Sequence, residues 1–321
     1  MTRATRRAFL ASTAATAVAP AFAQQSGVTT LVVPFPPGGS TDALARLLQP
    51  GLQDKLGRTV LIENKAGAAG AIGAAQVAKA TPDGTSLLVT FDSHAVIPAI
   101  LPKPPLDVEK DLAPVMLVGT APYVLAANAS RPYTTFAEVV AAAKEKAGSV
   151  KYASVGIGTI GHLAMTVLAK KAGVEITHVP YRGGGPAMND VIGGHVDLIC
   201  GSAALVSPQL EGGTIRAIMQ MGQKRLENLK DTQTAMEAGF ADFEAVAWWG
   251  VFAPAATPPA TVESVYQMLK ATLSDPTAAS RLKETQQMTL TLAGAKDLAT
   301  FFSGQVRKWG DVVRENDIKA N

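Results

Sequence analysis

Two glycine-rich stretches, Pro34–Asp42 (PFPPGGSTD) and Ser154–His162 (SVGIGTIGH), have the composition of anion receptors that need no cationic side chain. Each follows an apolar run and opens an amphipathic segment, so each places a turn at a helix start. There the first backbone N–H groups lack intrahelical acceptors and carry a partial positive charge, and glycines let a carboxylate or phosphate approach them. In the first loop Gly38 and Gly39 serve the tight turn and the close approach. Ser40 either caps the helix or bonds the ligand. Asp42 is either a first-turn acid favoured by the helix dipole or a direct contact, and Phe35 either walls the site or packs into the core. Gly156, Gly158 and Thr159 repeat this logic in the second loop, where Thr159 adds a hydroxyl. His162, in the first helical turn, bonds either a ligand or the neighbouring backbone.

The same residues carry a rival chemistry. Gly156-Ile157-Gly158-Thr159-Ile160-Gly161 matches the G-x-G-x-x-G dinucleotide fingerprint, and Glu175 follows Gly156 by 19 positions. An NAD(P)-dependent periplasmic oxidoreductase is therefore the alternative function. Against it, Glu175 begins the next expected strand, whereas a ribose-binding acid belongs near that strand's far end. The chain has no G-x-S-x-G elbow, P-loop or H-E-x-x-H helix, and its four histidines are scattered without metal-ligand spacing. Neither catalysis nor a cofactor or metal is expected.

The elements that must carry these loops alternate almost throughout. Apolar runs at Val28–Val33, Thr59–Ile62 and Ser86–Thr90 predict strands, separated by a helix in which Leu44, Leu47, Leu48 and Leu52 recur and by an Ala-rich helix over Ala71–Ala80. The pattern restarts with strand Tyr123–Ala127, helix Phe136–Lys146, strand Val150–Val155, helix Ile160–Lys171, strand Glu175–Val179, helix Pro186–Ile192 and strand Val196–Cys200. Two βαβ series imply two mainly parallel sheets. A β-type run at Ala245–Phe252 and helices at Val262–Leu273 and Leu298–Val313 follow. In the last helix Leu298, Phe301, Phe302, Trp309 and Val313 share a face. Segments Val115–Ala127 and Ala245–Pro254 are expected to cross between lobes, giving lobe 1 as 27–120 plus 252–321 and lobe 2 as 121–251. Ligands of such folds lie in the cleft at the strands' carboxyl ends. That position makes Ser93 and His94 candidate contacts, against a helix cap and a structural histidine. Tyr181, Ser202 and Arg182 also follow strands, with Arg182 either a charge partner for a second carboxylate or a solvated surface residue.

The beginning of the chain sets the compartment. Arg3, Arg6 and Arg7, a mildly apolar Ala8–Ala19 and the A-x-A site Ala21-Phe22-Ala23 form an export signal over 1–23, cleaved after Ala23. Thr5-Arg6-Arg7-Ala8-Phe9-Leu10 resembles a twin-arginine motif, and the general secretory route is the alternative. The chain has 29 basic and 26 acidic residues, and losing the three arginines makes the counts equal. No nucleic-acid partner follows from so balanced a charge. The lone Cys200 forms no internal disulfide, and its apolar setting reads as a buried strand. With 47% hydrophobic residues the chain is long enough for two cores.

The loops PFPPGGSTD and SVGIGTIGH, the segment HVPYRGGGPAMNDVIGGHVD (178–197), the stretch NKAGAAGAIGAAQVAKA (64–80) with Pro82-Asp83-Gly84, and Ser93-His94 resemble the receptors of tripartite tricarboxylate transporters, the Bug family. The match runs in order across essentially the whole chain after Ala23. The resemblance implies a periplasmic-binding-protein fold of two α/β lobes closing on a small carboxylate solute: a dicarboxylate, tricarboxylate, acidic amino acid or aromatic acid. It implies that both loops hold one carboxylate through backbone N–H groups and ordered waters. It implies large and small membrane subunits as partners of a monomeric receptor in ion-gradient-driven uptake. One departure is Ile97, where related sequences often carry asparagine.

Overall fold

The structure is a computed structural model that describes residues 27–319; the expected export signal and cleavage site lie outside the described residues. Three parallel strands, β1 (Thr29–Val33), β2 (Val60–Asn64) and β3 (Ser86–Phe91), form the first half of the sheet with β1 in the middle. They are joined by α1 (Ser40–Leu56) and α2 (Ala71–Ala78). Leu44, Leu48 and Leu52 of α1 are buried on one face of this trio, and Ala71, Ala74 and Val77 of α2 on the other. After β3 a 3₁₀ turn, Asp92–Val96, leads into the short α3 (Ile97–Ile100).

The spine of the molecule is β4 (Leu112–Asn128). At about 3.3 Å per residue its 17 residues are long enough to serve two sheets. Residues 112–122 pair antiparallel with β9 (Val246–Pro254), which in turn pairs with β3. Residues 123–128 pair instead with β7 (Leu198–Ser202) and β8 (Ile215–Gln220). Beyond β7 lie β5 (Lys151–Ser154) and β6 (Thr177–Pro180), all three parallel, so the strand order is β2-β1-β3-β9-β4-β7-β5-β6. Each half thus has a parallel trio, and the antiparallel strands sit where the halves meet. The return crossing falls at Ala245, whose N–H donates to Met221 O and whose carbonyl accepts from Tyr123 N–H.

Helices α4 (Phe136–Glu145), α5 (Ile160–Ala172), α6 (Gly184–Ile192) and α7 (Ala203–Glu211) belong to the second half. Helices α8 (Pro259–Leu273) and α9 (Pro276–Gln286) and strand β10 (Thr289–Ala293) follow β9, with β10 pairing antiparallel to β4. The last helix, α10 (Ala295–Glu315), buries Leu298, Phe302, Trp309 and Val313, with Phe301 half-buried. Phe302 packs edge-on against Trp248 and Phe252 of β9, closing the second face of the first half-sheet. The residue after α10, Asn316, accepts from Lys170 Nζ of α5 at 3.2 Å, so the tail reaches the other half.

Candidate functional site

Both glycine-rich loops connect the carboxyl end of a parallel strand to a helix start that no side chain caps. In the first, Gly38 adopts φ 86°, which a residue with a side chain resists, and Gly39 rather than Ser40 is the N-cap of α1. Asp42 turns inward and is almost fully buried. Its Oδ2 accepts from Gly38 N–H at 3.0 Å and Arg46 Nε at 2.8 Å, and its Oδ1 from Asn64 Nδ2 at 3.0 Å. Asn64 Nδ2 also donates to Phe35 O at 3.1 Å. Burial pushes the Asp42 carboxyl up, but the hydrogen bonds from Arg46, Gly38 and Asn64 outweigh it and hold it below the usual carboxylate range. Asp42 is thus the brace of the loop, and the first N–H groups of α1 keep their donor capacity.

The second loop is braced without charge. Gly156 has φ 146° and Gly158 φ 75°. Gly158 N–H donates to His162 Nδ1 at 3.0 Å, and Thr159 Oγ1 donates to Gly156 O at 2.8 Å instead of capping α5. Ser154 Oγ lies 3.2 Å from Gly156 N–H, 3.0 Å from Gly156 O and 2.7 Å from His178 Nε2. Tyr181 stands at the loop's edge, its N–H on Ser154 O and its hydroxyl donating to Asp190 Oδ2 at 2.6 Å. Burial together with that carboxylate pushes its pKa up to about 12.

The second loop reaches the first half of the molecule through α3. A Cβ built on Gly158 would stand 2.7 Å from Ile100 Cγ2 of α3, so the second loop rests directly on the first half. The 3₁₀ turn before α3 reaches Ala69 O through Ser93 Oγ at 3.5 Å, and the adjoining Gly70 packs on Pro34 and Phe35. Phe35 then meets Phe91 edge-on, centroids 6.3 Å apart, and Phe91 lies 5.0 Å from Trp249. A chain of contacts thus runs from Gly158 through Ile100 and the turn holding Ser93 to Gly70 and Phe35; Gly38, Gly39 and Ser40 follow Phe35 in the first loop, and Gly156, Thr159, His162 and Tyr181 lie with Gly158 at the second, whose helix α5 meets the crossing β4 where a Cβ built on Gly161 would stand 3.3 Å from Tyr123. Ser202 is the buried N-cap of α7, opposite Tyr123. At that crossing Tyr123 donates its hydroxyl to Asp92 Oδ2 at 2.8 Å; both are fully buried, and burial raises the Asp92 carboxyl well above its ordinary range. Arg182 is exposed.

His94 is the candidate the structure sets apart. The 3₁₀ turn swings its ring to the opposite face, between Phe252 and Phe302 with both centroids at 5.3 Å, and it is completely buried. Ile97, likewise, is core. Cys200 is buried in β7, as its apolar setting implies. Two surface cavities, about 370 Å³ around Lys79, Leu106 and Asp111 and about 340 Å³ around Phe136, Lys171 and Phe240, include no residue of either loop.

Sequence reasoning misses Asn64, Arg46, Ser154, Asp92, Tyr123 and His178. No local spacing ties them to the loops they support; an inward polar residue on an otherwise apolar strand, such as Ser154 or His178, is the available signal. The dinucleotide reading also meets its geometry. Gly148 N–H, just before β5, donates to Glu175 O, so Glu175 sits at the amino ends of β5 and β6 while the G-x-G-x-x-G turn is at the carboxyl end of β5. An acid there cannot reach a ribose held by that turn.

The family model described as tripartite tricarboxylate transporter family receptor matches residues 44–318. A UPF0065 protein from the tcbD-tcbE intergenic region of a Pseudomonas species is 35% identical over 91% of this chain and 87% of its own length. Among solved structures, the periplasmic binding protein BugD is similar with a TM-score of 0.84 and 33% identity, covering 91% of this chain and 99% of its own. An R. palustris protein solved with adipate has a TM-score of 0.85 at 30% identity over 91% of this chain and 98% of its own. With a fold whose halves share one long strand and whose paired loops recur in order, this chain belongs to the tripartite tricarboxylate transporter receptor family.

Proposed function

We propose that this protein is an extracytoplasmic receptor that captures a small carboxylate-bearing solute between lobe 1 (27–120 plus 252–321) and lobe 2 (121–251) and presents the closed form to a tripartite membrane transporter. The observation that carries the reading is the pair of uncapped helix starts, α1 and α5, at the carboxyl ends of parallel strands on either side of one crossing strand. Backbone N–H groups of both converge on one anion, with Ser40 as a hydroxyl donor and Phe35 and Phe91 as an apolar wall. The adipate found in a family relative is the kind of ligand this arrangement suits. Closure signals occupancy because the ligand touches both loops only when they meet, and so binds the closed state better than the open one. The signal over 1–23 exports the chain to the periplasm, with cleavage after Ala23, where a monomer meets the large and small membrane subunits. It acts without a cofactor and is not an enzyme.

The test is a thermal-shift screen of residues 24–321, stripped of co-purified ligand, against dicarboxylates, citrate, acidic amino acids, aromatic acids and NAD(H). A ligand at about 100 times its dissociation constant adds roughly 2.7 kcal/mol, a shift of several degrees. A shift with one carboxylate class supports the receptor and names its solute; a shift with NAD(H) alone overturns it.

A further inference from the structure

The second loop is held by two imidazoles that the proposed capture of a carboxylate does not itself require. His162 on α5 and His178 on β6 stack face to face, centroids 3.9 Å apart and planes 9° from parallel, and Tyr152 of β5 continues the stack on His178 at 4.9 Å. One hydrogen bond assigns the tautomer of His162. Gly158 N–H donates to His162 Nδ1, so that nitrogen carries a lone pair and the proton resides on Nε2. Ser154 Oγ accepts from Gly156 N–H and shares a hydrogen bond with His178 Nε2 at 2.7 Å. Both positive-φ glycines of the loop are therefore pinned through this one neutral stack.

We propose that His162 and His178 are positioning residues that hold the second anion-binding loop in its capture shape only while both rings are neutral. A proton arriving on His162 has one place to go, Nδ1, where it faces the Gly158 N–H and replaces an acceptor with a donor. A proton arriving on His178 puts a cation against the face of its neighbour. The first event releases Gly158 from α5, and the second disturbs the stack and the Ser154 link that holds Gly156. The groups that face the rings offer no compensating charge: Tyr152, whose buried hydroxyl is pushed up and stays protonated, the buried Cys200 thiol beside it, and the Ser154 hydroxyl. Asp190, on α6, is engaged by Tyr181. Burial pushes His162 down to about 4, and burial with the neighbouring ring pushes His178 down to about 3, so the loop is held across the neutral range and fails in acid.

The test reads the loop directly and rests on the receptor reading only for its last arm. Amide hydrogen exchange at Gly156 and Gly158 and ¹⁵N-histidine NMR are recorded on residues 24–321 from neutral pH down to about pH 4, in the wild type, His162→Gln and His162→Leu. Glutamine keeps an oxygen acceptor for Gly158 and cannot titrate. Expected are the Nε2–H tautomer for His162, at least tenfold weaker Gly158 protection in His162→Leu at neutral pH, and acid loss of protection in the wild type that His162→Gln does not show. Equal protection in all three proteins, or parallel acid loss in wild type and His162→Gln, overturns the proposal. In a final arm with adipate as probe, His162→Leu binds at least tenfold more weakly than His162→Gln. Equal adipate binding by the two variants despite lost loop protection detaches the second loop from capture and overturns the part the proposal gives it there, while the receptor reading stands. If none of the three proteins binds adipate, the exchange data alone uphold or overturn the role of the histidines.

Discussion

His94 lies at the carboxyl end of β3, where a ligand-binding histidine is expected, yet its ring is sealed between Phe252 and Phe302 with neither nitrogen bonded to another described residue. Burial pushes its pKa from 6.5 down to about 3. The unfolded chain therefore binds a proton at this site between those values and the native protein does not, so stability is full above about pH 6.5 and is lost as the pH falls toward the native value. At about pH 5 the difference amounts to roughly 2 kcal/mol for this one group, against almost nothing at about pH 7.5. His94→Leu keeps an apolar side chain of similar bulk and removes the proton. Urea unfolding of wild type and variant at the two pH values isolates the term, since His162 and His178 titrate in both proteins and cancel. The variant's loss of stability on acidification should be smaller than the wild type's by about 2 kcal/mol, roughly 0.7 M in midpoint for a slope near 3 kcal/mol/M. Parallel acid losses would refute the reasoning and return His94 to a site where its charged form is solvated or partnered, the cleft among them.

Gly158→Val places a branched side chain at φ 75° and against Ile100, and should weaken binding of the carboxylate identified in the screen at least tenfold, about 1.4 kcal/mol, measured by calorimetry; unchanged affinity removes the second loop from the site. Asp42→Asn weakens the brace on Gly38 and loses the ion pair with Arg46, at a cost of about 1 to 2 kcal/mol in unfolding experiments without a change in ligand preference. A switch in selectivity at constant melting temperature would make Asp42 a ligand contact after all. Tyr123→Phe leaves the buried Asp92 carboxyl without its phenolic donor and should destabilise by about 1 to 3 kcal/mol; an unchanged urea midpoint would mean that the pair at the crossing contributes nothing to the fold.

What is legible in the sequence is what local chemistry decides. Positive-φ glycines, apolar runs of strand length and helix periodicity are properties of neighbouring residues, and both loops and both parallel trios follow from them. Strands β8 and β10 fall outside the βαβ alternation and are defined by antiparallel pairing with β4, which spacing does not show, and α9 leaves no trace because Pro276 and a weak apolar stripe conceal it behind its Asp275 cap. The end of β3 points His94 toward the cleft, but a 3₁₀ turn advances about 120° per residue against 100° in an α-helix, and the ring ends up on the α10 face. His178 shows the opposite failure: its strand is plain in the apolar pattern, while its partnership with His162 depends on how β6 and α5 pack and has no trace in spacing.

The two loops solve one problem by different chemistry, and the difference bears on what they bind. A carboxylate brace beneath an anion site repels the ligand unless its charge is answered, and in the first loop Arg46, Asn64 and the Gly38 N–H all point into Asp42. Because Arg46 is paired with Asp42, its charge is answered, and the attraction left at the loop is that of the helix start. In the second loop the brace is uncharged, so the start of α5 acts alone. Neither loop contributes a free cation, so in the proposed receptor the preference for an anion comes from the two helix starts, with the second loop seated against Ile100. On that proposal recognition and closure are the same event: pulling the second loop away from α3 would remove one of the two dipoles from the ligand, and with it the differential affinity for the closed state.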